Sequence, residues 1–197
     1  MGNYIHSYIA AAANDNVEKI ESKLKKHPDL LDAFVGIDDD NDVLTNLAVA
    51  ARHNSTHVVA CLLAKGADAN IVNTGGKSAI MYAAMKGCTE SLVLLLEKGD
   101  ADINTTDVMG RTALMHAAIN SHLDCVLALL ERGADVHIVC RKNGNTACSY
   151  ASDDSIKQAI TDFIVDSKIN FSVSTTSNIT ADGGGAGGAV LNDEGEV

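Results

Sequence analysis

Gly76-Lys77-Ser78 ends like a phosphate-binding loop, in which a lysine and a hydroxyl residue follow a glycine. Such a loop would hold nucleotide phosphates on its backbone N–H groups and place the lysine and a magnesium ion beside them. The full motif needs another glycine five residues before Gly76, where this sequence has Ile71. It must also follow a buried strand and open a long helix. The sequence therefore argues against nucleotide hydrolysis.

A second candidate is the acidic run from Asp38 to Asp42, which places carboxylates at the first, third and fifth positions of a calcium loop. The sixth position of such a loop is glycine and the twelfth is glutamate, but this chain has Val43 and Val49 there. We therefore interpret the run as a solvated acidic loop.

The third candidate is a set of possible zinc ligands, His53, His57 and Cys61, spaced four residues apart. On one continuous helix these side chains would share a face. The repeat pattern described below breaks the helix at Asn54, so we expect His53 to end one helix, His57 to lie near the start of the next, and Cys61 to face the core. No nucleophile and base are paired by the sequence. It predicts no enzyme activity, no metal site and no cofactor.

Composition limits the choice of partner and compartment. The 197 residues carry a formal net charge of −11, with 46% hydrophobic and only 4% aromatic residues. An acidic chain of this kind is unsuited to general binding of nucleic acid or anionic lipid. The five cysteines form no C-x-x-C pair, which indicates reduced thiols buried as small apolar side chains. With no signal peptide and no apolar run of about 18 residues, we expect an intracellular, cytoplasmic protein.

The elements that position these residues follow from an internal repeat. Thr45, Ser78, Thr112 and Thr146 recur at intervals of 33, 34 and 34 residues. Alanine pairs, leucine pairs and a late glycine keep the same spacing: Ala50-Ala51, Ala83-Ala84 and Ala117-Ala118; Leu62-Leu63, Leu95-Leu96 and Leu129-Leu130; Gly66, Gly99 and Gly133. Each unit predicts two short helices, with an N-cap at the Thr or Ser, a left-handed turn at Asn54, Gly87 or Ser121, and a glycine C-cap.

These units resemble the ankyrin-repeat family. The resemblance rests on G-x-[ST]-A-[LI]-M-x-A-A at Gly76–Ala84 and Gly110–Ala118, and on the segments LLAKGADAN, LLEKGDADIN and LLERGADVH. It implies an all-α solenoid of about five stacked helix pairs with projecting β-hairpin-like loops. The units span residues 4–40, 41–73, 74–107, 108–141 and 142–168, within a domain of residues 1–168. Residues 169–197 are rich in glycine and acidic side chains, and we expect a disordered tail.

One departure from the family pattern affects stability. The family's T-P-L-H tetrapeptide reads Thr-Asn-Leu-Ala from Thr45, Ser-Ala-Ile-Met from Ser78 and Thr-Ala-Leu-Met from Thr112. Without the proline and the hydrogen-bonding histidine, we expect a thinner polar network between repeats. Stability should then depend on apolar packing, including that of Met81 and Met115.

The resemblance implies a concave face, made of loop tips and first-helix ends, that binds another protein. Basic and apolar side chains mix along it, which suits an acidic segment with an apolar anchor. We expect a non-catalytic adaptor, scaffold or inhibitor that is a monomer and binds neither nucleic acid nor membrane. The alternative is a regulatory or targeting subunit or effector whose C-terminal tail carries the recognition signal. The predicted partner-binding residues are Leu44, Arg52, His53, Lys77, Met85, Lys86, Val108, Met109, Arg111, Ile119, Asn120, Lys142, Asn143 and Asn145.

Overall fold

Five consecutive helix pairs form the fold. The structure is a computed structural model that describes the backbone of residues 2–37 and 41–177 and the side chains of residues 7–37 and 41–166. The pairs are α1 Gly2–Ala13 and α2 Val17–Lys26, α3 Asn46–Arg52 and α4 Thr56–Ala64, α5 Ala79–Lys86 and α6 Thr89–Lys98, α7 Ala113–Ile119 and α8 Leu123–Glu131, and α9 Ala147–Tyr150 and α10 Asp154–Ser177. A 3₁₀ turn at Pro28–Leu30 and two strands, β1 Phe34–Ile37 and β2 Val43–Thr45, separate the first two pairs.

The chain divides into two compact parts, Met1–Phe163 and Ile164–Val197. We call the first helix of each pair the leading helix and the second the trailing helix. In the first part, the leading helices pack in the row α1, α3, α5, α7 and α9, and the trailing helices pack in the row α2, α4, α6 and α8. In the second part, the described residues are the remainder of α10, which ends at Ser177. The helix thus extends to Ser177, into the segment from residue 169 for which a disordered tail is predicted. Residues 169–177 contain no proline or glycine to end the helix. The rest of the predicted tail, residues 178–197, lies outside the described residues.

Small side chains line the seams between leading helices. The alanine pairs of α3, α5 and α7 are fully buried, as are Leu62, Leu95 and Leu129 of the trailing helices. Alanine lets neighbouring helix backbones approach closely, and each buried leucine contributes about 1.5–3 kcal/mol of transfer free energy. Met81 and Met115 are also buried, as the apolar tetrapeptides predict.

The residues that begin the leading helices act mostly as predicted. The hydroxyls of Thr45, Thr112 and Thr146 accept hydrogen bonds from the backbone N–H groups of Ala48, Met115 and Ser149. Ser78 stands at the same position of α5 but makes no capping hydrogen bond, and its hydroxyl is buried without a partner. The sequence could not distinguish these two outcomes, because serine and threonine are both good N-cap residues.

Left-handed backbone occurs where the repeat predicts it, with one displacement. Asn54, Gly87 and Ser121 have φ of 55°, 72° and 58° between the two helices of their units. Gly66 and Gly133, after α4 and α8, are also left-handed. After α6, however, Gly99 has φ −104°, and the left-handed residue is Asp100 at φ 46°. The inserted residue in LLEKGDADIN moves the left-handed position onto an aspartate.

The loops between units are tight hairpins. The loop from the first unit forms the antiparallel pair β1–β2, with Gly36 opposite Leu44 and Ile37 opposite Val43. The next three loops close with backbone hydrogen bonds from Asn73 to Lys77, Asp107 to Arg111 and Cys140 to Asn145, with N–O distances of 3.1, 2.9 and 2.8 Å. Gly76 has φ 72°, and a Cβ there would lie 2.9 Å from the backbone N of Val108. Only glycine fits this turn without displacing the next loop.

Candidate functional site

Lys77 lies inside the protein. Its side chain is 6% exposed, and its Nζ is 3.2 Å from Oδ2 of Asp42 and 5.8 Å from the centroid of the Tyr82 ring. The expectation that Lys77 presents its charge on a binding surface is wrong. The same position carries Leu44 in the preceding unit, which is 4% exposed and equally unable to contact a partner. The phosphate-loop interpretation is also incompatible with this geometry, because the ammonium group is held by a carboxylate.

Arg111, the third residue at this position, is fixed by a buried carboxylate. Its Nε and Nη2 atoms each lie 2.8 Å from Oδ2 of Asp107, and His116 Nε2 approaches the same oxygen at 3.1 Å. The other oxygen of Asp107 accepts the backbone N–H groups of Met109 and Arg111, both at 2.9 Å. Asp107 therefore holds together the whole turn from residue 107 to 111.

This environment shifts the pKa values of Asp107 and His116. Burial alone would raise the pKa of Asp107, but the hydrogen bonds from His116 and Arg111 and the charge of Arg111 hold it well below its usual range. Burial lowers the pKa of His116, with Arg111 and Lys77 adding to that effect and Asp107 opposing it. His116 is therefore neutral at pH 7 and donates its Nε2 hydrogen to an ionised Asp107.

The turn that Asp107 holds presents two apolar side chains. Val108 is 65% exposed and Met109 is 37% exposed. Their backbones are tied to the neighbouring loops, because Val108 N–H donates to Gly75 O at 3.0 Å and Arg141 N–H donates to Met109 O at 2.9 Å. Both apolar side chains therefore lie on a loop tip that is held by Asp107 within the turn and by backbone hydrogen bonds to the loops on either side.

The ends of the leading helices carry the remaining predicted residues of the central units. Ile119 and Asn120, which end α7, are exposed, and Asn120 donates to the carbonyl of His116 at 2.8 Å. His53 and Lys86 are exposed at the ends of α3 and α5, beside the half-buried Arg52 and Met85. Burial lowers the pKa of His53, and the charges of Arg52 and Lys86 lower it further.

In the last unit, Lys142 and Asn143 are exposed and Asn145 is half-buried. Asn143 Oδ1 accepts the Tyr150 hydroxyl at 3.0 Å and the Asn145 N–H at 3.2 Å. This turn is thus organised by an amide where the preceding turn uses Asp107. Of the fourteen predicted positions, the structure leaves all but Leu44 and Lys77 at least partly accessible.

A ladder of side-chain hydrogen bonds joins successive repeats, and no sequence pattern predicted it. Ser55 Oγ, Cys88 Sγ and His122 Nε2 occupy the same position in successive units and approach the carbonyls of Ala13, Arg52 and Met85 at 3.3, 3.3 and 3.2 Å. Each carbonyl lies at or near the end of the preceding leading helix. Because three chemically different side chains make the equivalent contact, no single residue type recurs at this position of the sequence.

A second ladder joins the segments that follow the trailing helices. The backbone N–H groups of Asp68, Asp102 and Asp135 donate to the side-chain oxygens of Asp32, Asn70 and Asn104, at 3.0, 2.7 and 2.9 Å. The Asp-x-Asn pattern that recurs in the GADAN and DADIN segments could have predicted this second ladder. The two ladders link neighbouring repeats through residues other than the missing histidine.

The possible zinc ligands are separated as predicted. His53 follows the end of α3, whereas His57 lies in α4 with Nδ1 2.6 Å from Oδ2 of Asp15. Cys61 is half-buried and lies 3.8 Å from a carboxylate oxygen of Glu21, so it does not face the core. Cys88, Cys125 and Cys140 are buried, while Cys148 is half-buried. Within the described residues, no three His, Cys, Asp or Glu side chains are grouped to hold a metal.

The described helices also include none that is both long and apolar enough to cross a membrane. A family model described as "Ankyrin repeats (3 copies)" matches residues 8–107, 47–140 and 100–175. No curated protein matches the chain.

Proposed function

The chain belongs to the ankyrin-repeat family, whose repeats are general protein–protein interaction modules, and from this premise we propose that it is a non-catalytic adaptor, scaffold or inhibitor. Its partner binds the loop face, which we define as the accessible loop tips and leading-helix ends from the second to the fifth repeat. The loop face comprises Arg52, His53, Met85, Lys86, Val108, Met109, Arg111, Ile119, Asn120, Lys142, Asn143 and Asn145. The observation that carries the proposal is the exposure of Val108 and Met109 on a fixed turn.

Exposed apolar groups on a fixed turn favour binding for two reasons. Removing Val108 and Met109 from water on contact with a partner releases free energy in proportion to the apolar area buried. The turn is also already ordered by Asp107 and by backbone bonds to both neighbouring loops. Little conformational entropy remains to be lost there on binding. Ile119, exposed at the end of α7, adds a third apolar contact.

The charges of the loop face favour an acidic partner. Arg52, Lys86, Arg111 and Lys142 are basic residues of a chain with a net charge of −11. An acidic segment would be attracted to these side chains, of which Arg111 also pairs with Asp107. Its apolar anchor would then rest on Val108 and Met109.

We propose no catalytic role for the buried Asp107 and His116. Both side chains are almost fully enclosed, and their hydrogen bonds hold the turn together. A substrate could not reach His116 without opening that turn.

Site-specific photo-crosslinking tests the proposal. A benzophenone amino acid at position 108 should crosslink to the partner recovered with the intact protein, and the crosslink should form again with the purified partner. The same amino acid at Leu127, which is 41% exposed on α8, is the control and should not crosslink. Crosslinking from position 127 alone would place the partner on the trailing helices and overturn the proposal.

A further inference from the structure

The last loop between repeats has three consecutive exposed residues at its tip, Arg141, Lys142 and Asn143. Oδ1 of Asn143 accepts the hydroxyl of Tyr150 at 3.0 Å and the N–H of Asn145 at 3.2 Å, so its amino group is what it can offer to a partner. Arginine and lysine side chains carry hydrogen-bond donors and no acceptor. This tip therefore suits a group that only accepts hydrogen bonds, as a carboxylate does.

The two cations of this tip are not neutralised by a carboxylate of the protein. Within the part of the chain whose side chains the structure describes, neither Arg141 nor Lys142 forms an ion pair. Arg111 on the preceding loop is different, because Asp107 holds its guanidinium at 2.8 Å. A carboxylate of a partner can therefore contact Arg141 and Lys142 without breaking an ion pair of the described residues.

Arg141 lies next to the apolar side chains of the loop face. Its backbone N–H donates to Met109 O at 2.9 Å, and backbones joined in this way lie about 5 Å apart. Its Cγ packs on Gly110, where a Cβ would lie 2.7 Å from that atom. An extended peptide advances about 3.3 Å per residue. A carboxylate one or two residues away from an apolar side chain that rests on Met109 therefore reaches Arg141.

The loop on the other side of Val108 is a poorer place for a carboxylate. Its exposed tip residue Thr74 donates its hydroxyl to Oδ1 of Asp42 at 2.9 Å. Lys77, in the same loop, is 6% exposed, and its Nζ lies 3.2 Å from Oδ2 of that aspartate. An acidic group placed there would meet the negative charge of Asp42 and be repelled. The two sides of the apolar tip therefore differ in charge.

We infer that Arg141 and Lys142, with the amino group of Asn143, bind a carboxylate of the partner segment, and that this carboxylate lies on the fifth-repeat side of the segment's apolar anchor. The inference rests on the proposed function, since the anchor is the group that contacts Val108 and Met109. It adds Arg141 to the loop face and gives the order of apolar and acidic groups along it. The guanidinium can donate two parallel hydrogen bonds to one carboxylate, which makes this contact directional.

Two peptides that differ only in charge test the inference on the full-length protein. Both are acetylated and amidated hexapeptides of glycine and serine with one leucine, followed directly by two glutamates in one peptide and by two glutamines in the other. In ¹H–¹⁵N spectra, we expect the difference between the two peptides to be largest at the backbone amide signals of Arg141 and Lys142. The methyl signal of Met109 should respond to both peptides.

A charge-removing variant separates this contact from general electrostatic attraction. Arg141→Gln should weaken the glutamate peptide about threefold, the size expected for one exposed ion pair, and leave the glutamine peptide unchanged. Glutamine keeps the Cβ and Cγ atoms that lie against Gly110. Lys98→Gln is the matched control, because Lys98 is an exposed cation at the end of α6, and it should alter neither affinity.

Equal affinity of the glutamate peptide for the parent protein and for Arg141→Gln would overturn the inference. So would a charge-dependent response centred on Thr74 and Gly75, or no response of Arg141 at millimolar concentrations of the glutamate peptide. These results leave the Met109 methyl response and the crosslink at position 108 as separate tests of the proposed function. Conversely, charge-dependent shifts at Arg141 without any response of Met109 would count against the proposed function and leave the carboxylate contact. The two failures are therefore distinguishable.

Discussion

Nζ of Lys77 lies 3.2 Å from Oδ2 of Asp42, and this contact joins the tip of one loop to the base of the next. Asp42 also accepts the hydroxyl of Thr74 at 2.9 Å. The acidic run that resembles a calcium loop thus ends in a carboxylate that holds the lysine of the apparent phosphate loop. Two stretches that suggested chemistry of their own are partners in one structural contact.

Breaking this contact should destabilise the fold. Asp42→Asn removes a negative charge that is paired with the nearly buried Lys77, so we expect a loss of about 1–3 kcal/mol in the free energy of unfolding, below the value for fully buried pairs because Asp42 is partly exposed. Lys157→Gln, which breaks the exposed pair with Asp154, should change stability by less than about 0.5 kcal/mol. Urea unfolding measures both. Equal effects would mean that burial of the Lys77 pair is unimportant.

Asp100→Gly should stabilise the protein. Asp100 is held at φ 46°, where an L-residue with a side chain is strained and glycine is not, and we expect a gain of about 0.5–1 kcal/mol. Gly133→Ala makes the reverse change at φ 81°, where an added Cβ meets no other atom within 4 Å. It should lose about 1 kcal/mol from backbone strain alone. Thermal unfolding in which Asp100→Gly lowers the melting temperature would contradict this account.

Cys88 should be replaceable by serine but not by alanine. Ser55 makes the equivalent hydrogen bond to Ala13 O, so Cys88→Ser keeps a donor for Arg52 O. Cys88→Ala leaves that carbonyl without its donor, and we expect it to be about 1 kcal/mol less stable than the serine variant. Chemical denaturation of the two variants decides the question. If alanine matched serine, the thiol would act only as a small apolar group.

Stability should fall on acidification in two steps that involve one cluster. The pKa of His116 is lowered in the folded state, so its contribution is complete above the unfolded value of about 6.5 and is lost as pH falls through the folded value. The pKa of Asp107 is also lowered, so its contribution is present above about 3.8 and is lost at still lower pH.

His116→Gln separates these two steps. Urea unfolding between pH 7.5 and 5 should show a decline for the parent protein and a flatter curve for the variant. Below pH 4 the variant should still lose stability, because Asp107 remains bonded to Arg111 and to two backbone N–H groups. If the stability of the parent protein and of His116→Gln changed with pH in parallel over the whole range, protonation of His116 would not contribute to the loss of stability.

The helix pairs were predictable because each depends on local patterns that recur four or five times. Thr45 and Thr112 cap helices, alanine pairs form seams, and Asn54 and Gly87 take left-handed turns, all by short-range physics. At the one-residue insertion after α6, the prediction of a left-handed glycine was wrong, because Asp100 and not Gly99 has positive φ. The pattern gave the type of turn but not which residue would occupy its left-handed position.

The candidate site was less predictable, because burial depends on contacts between units. Leu44, Lys77 and Arg111 occupy one repeat position, yet the first is core, the second is an enclosed ion pair and the third binds Asp107 within its own turn. The distinguishing groups, Asp42 and Asp107, lie in different places relative to the repeat. The repeat spacing therefore located the turn, but it could not show whether the side chain at this position is buried or exposed.

The affinity of the purified partner for Met109→Gln and Leu127→Gln tests the central claim most directly. The two apolar side chains have similar exposure, 37% and 41%, and receive the same polar replacement. Calorimetric titration should show about 10-fold weaker binding for Met109→Gln, a loss on the order of 1.4 kcal/mol, and unchanged binding for Leu127→Gln. Full affinity in Met109→Gln together with weakened binding in Leu127→Gln would contradict the assignment of the loop face as the partner-binding surface.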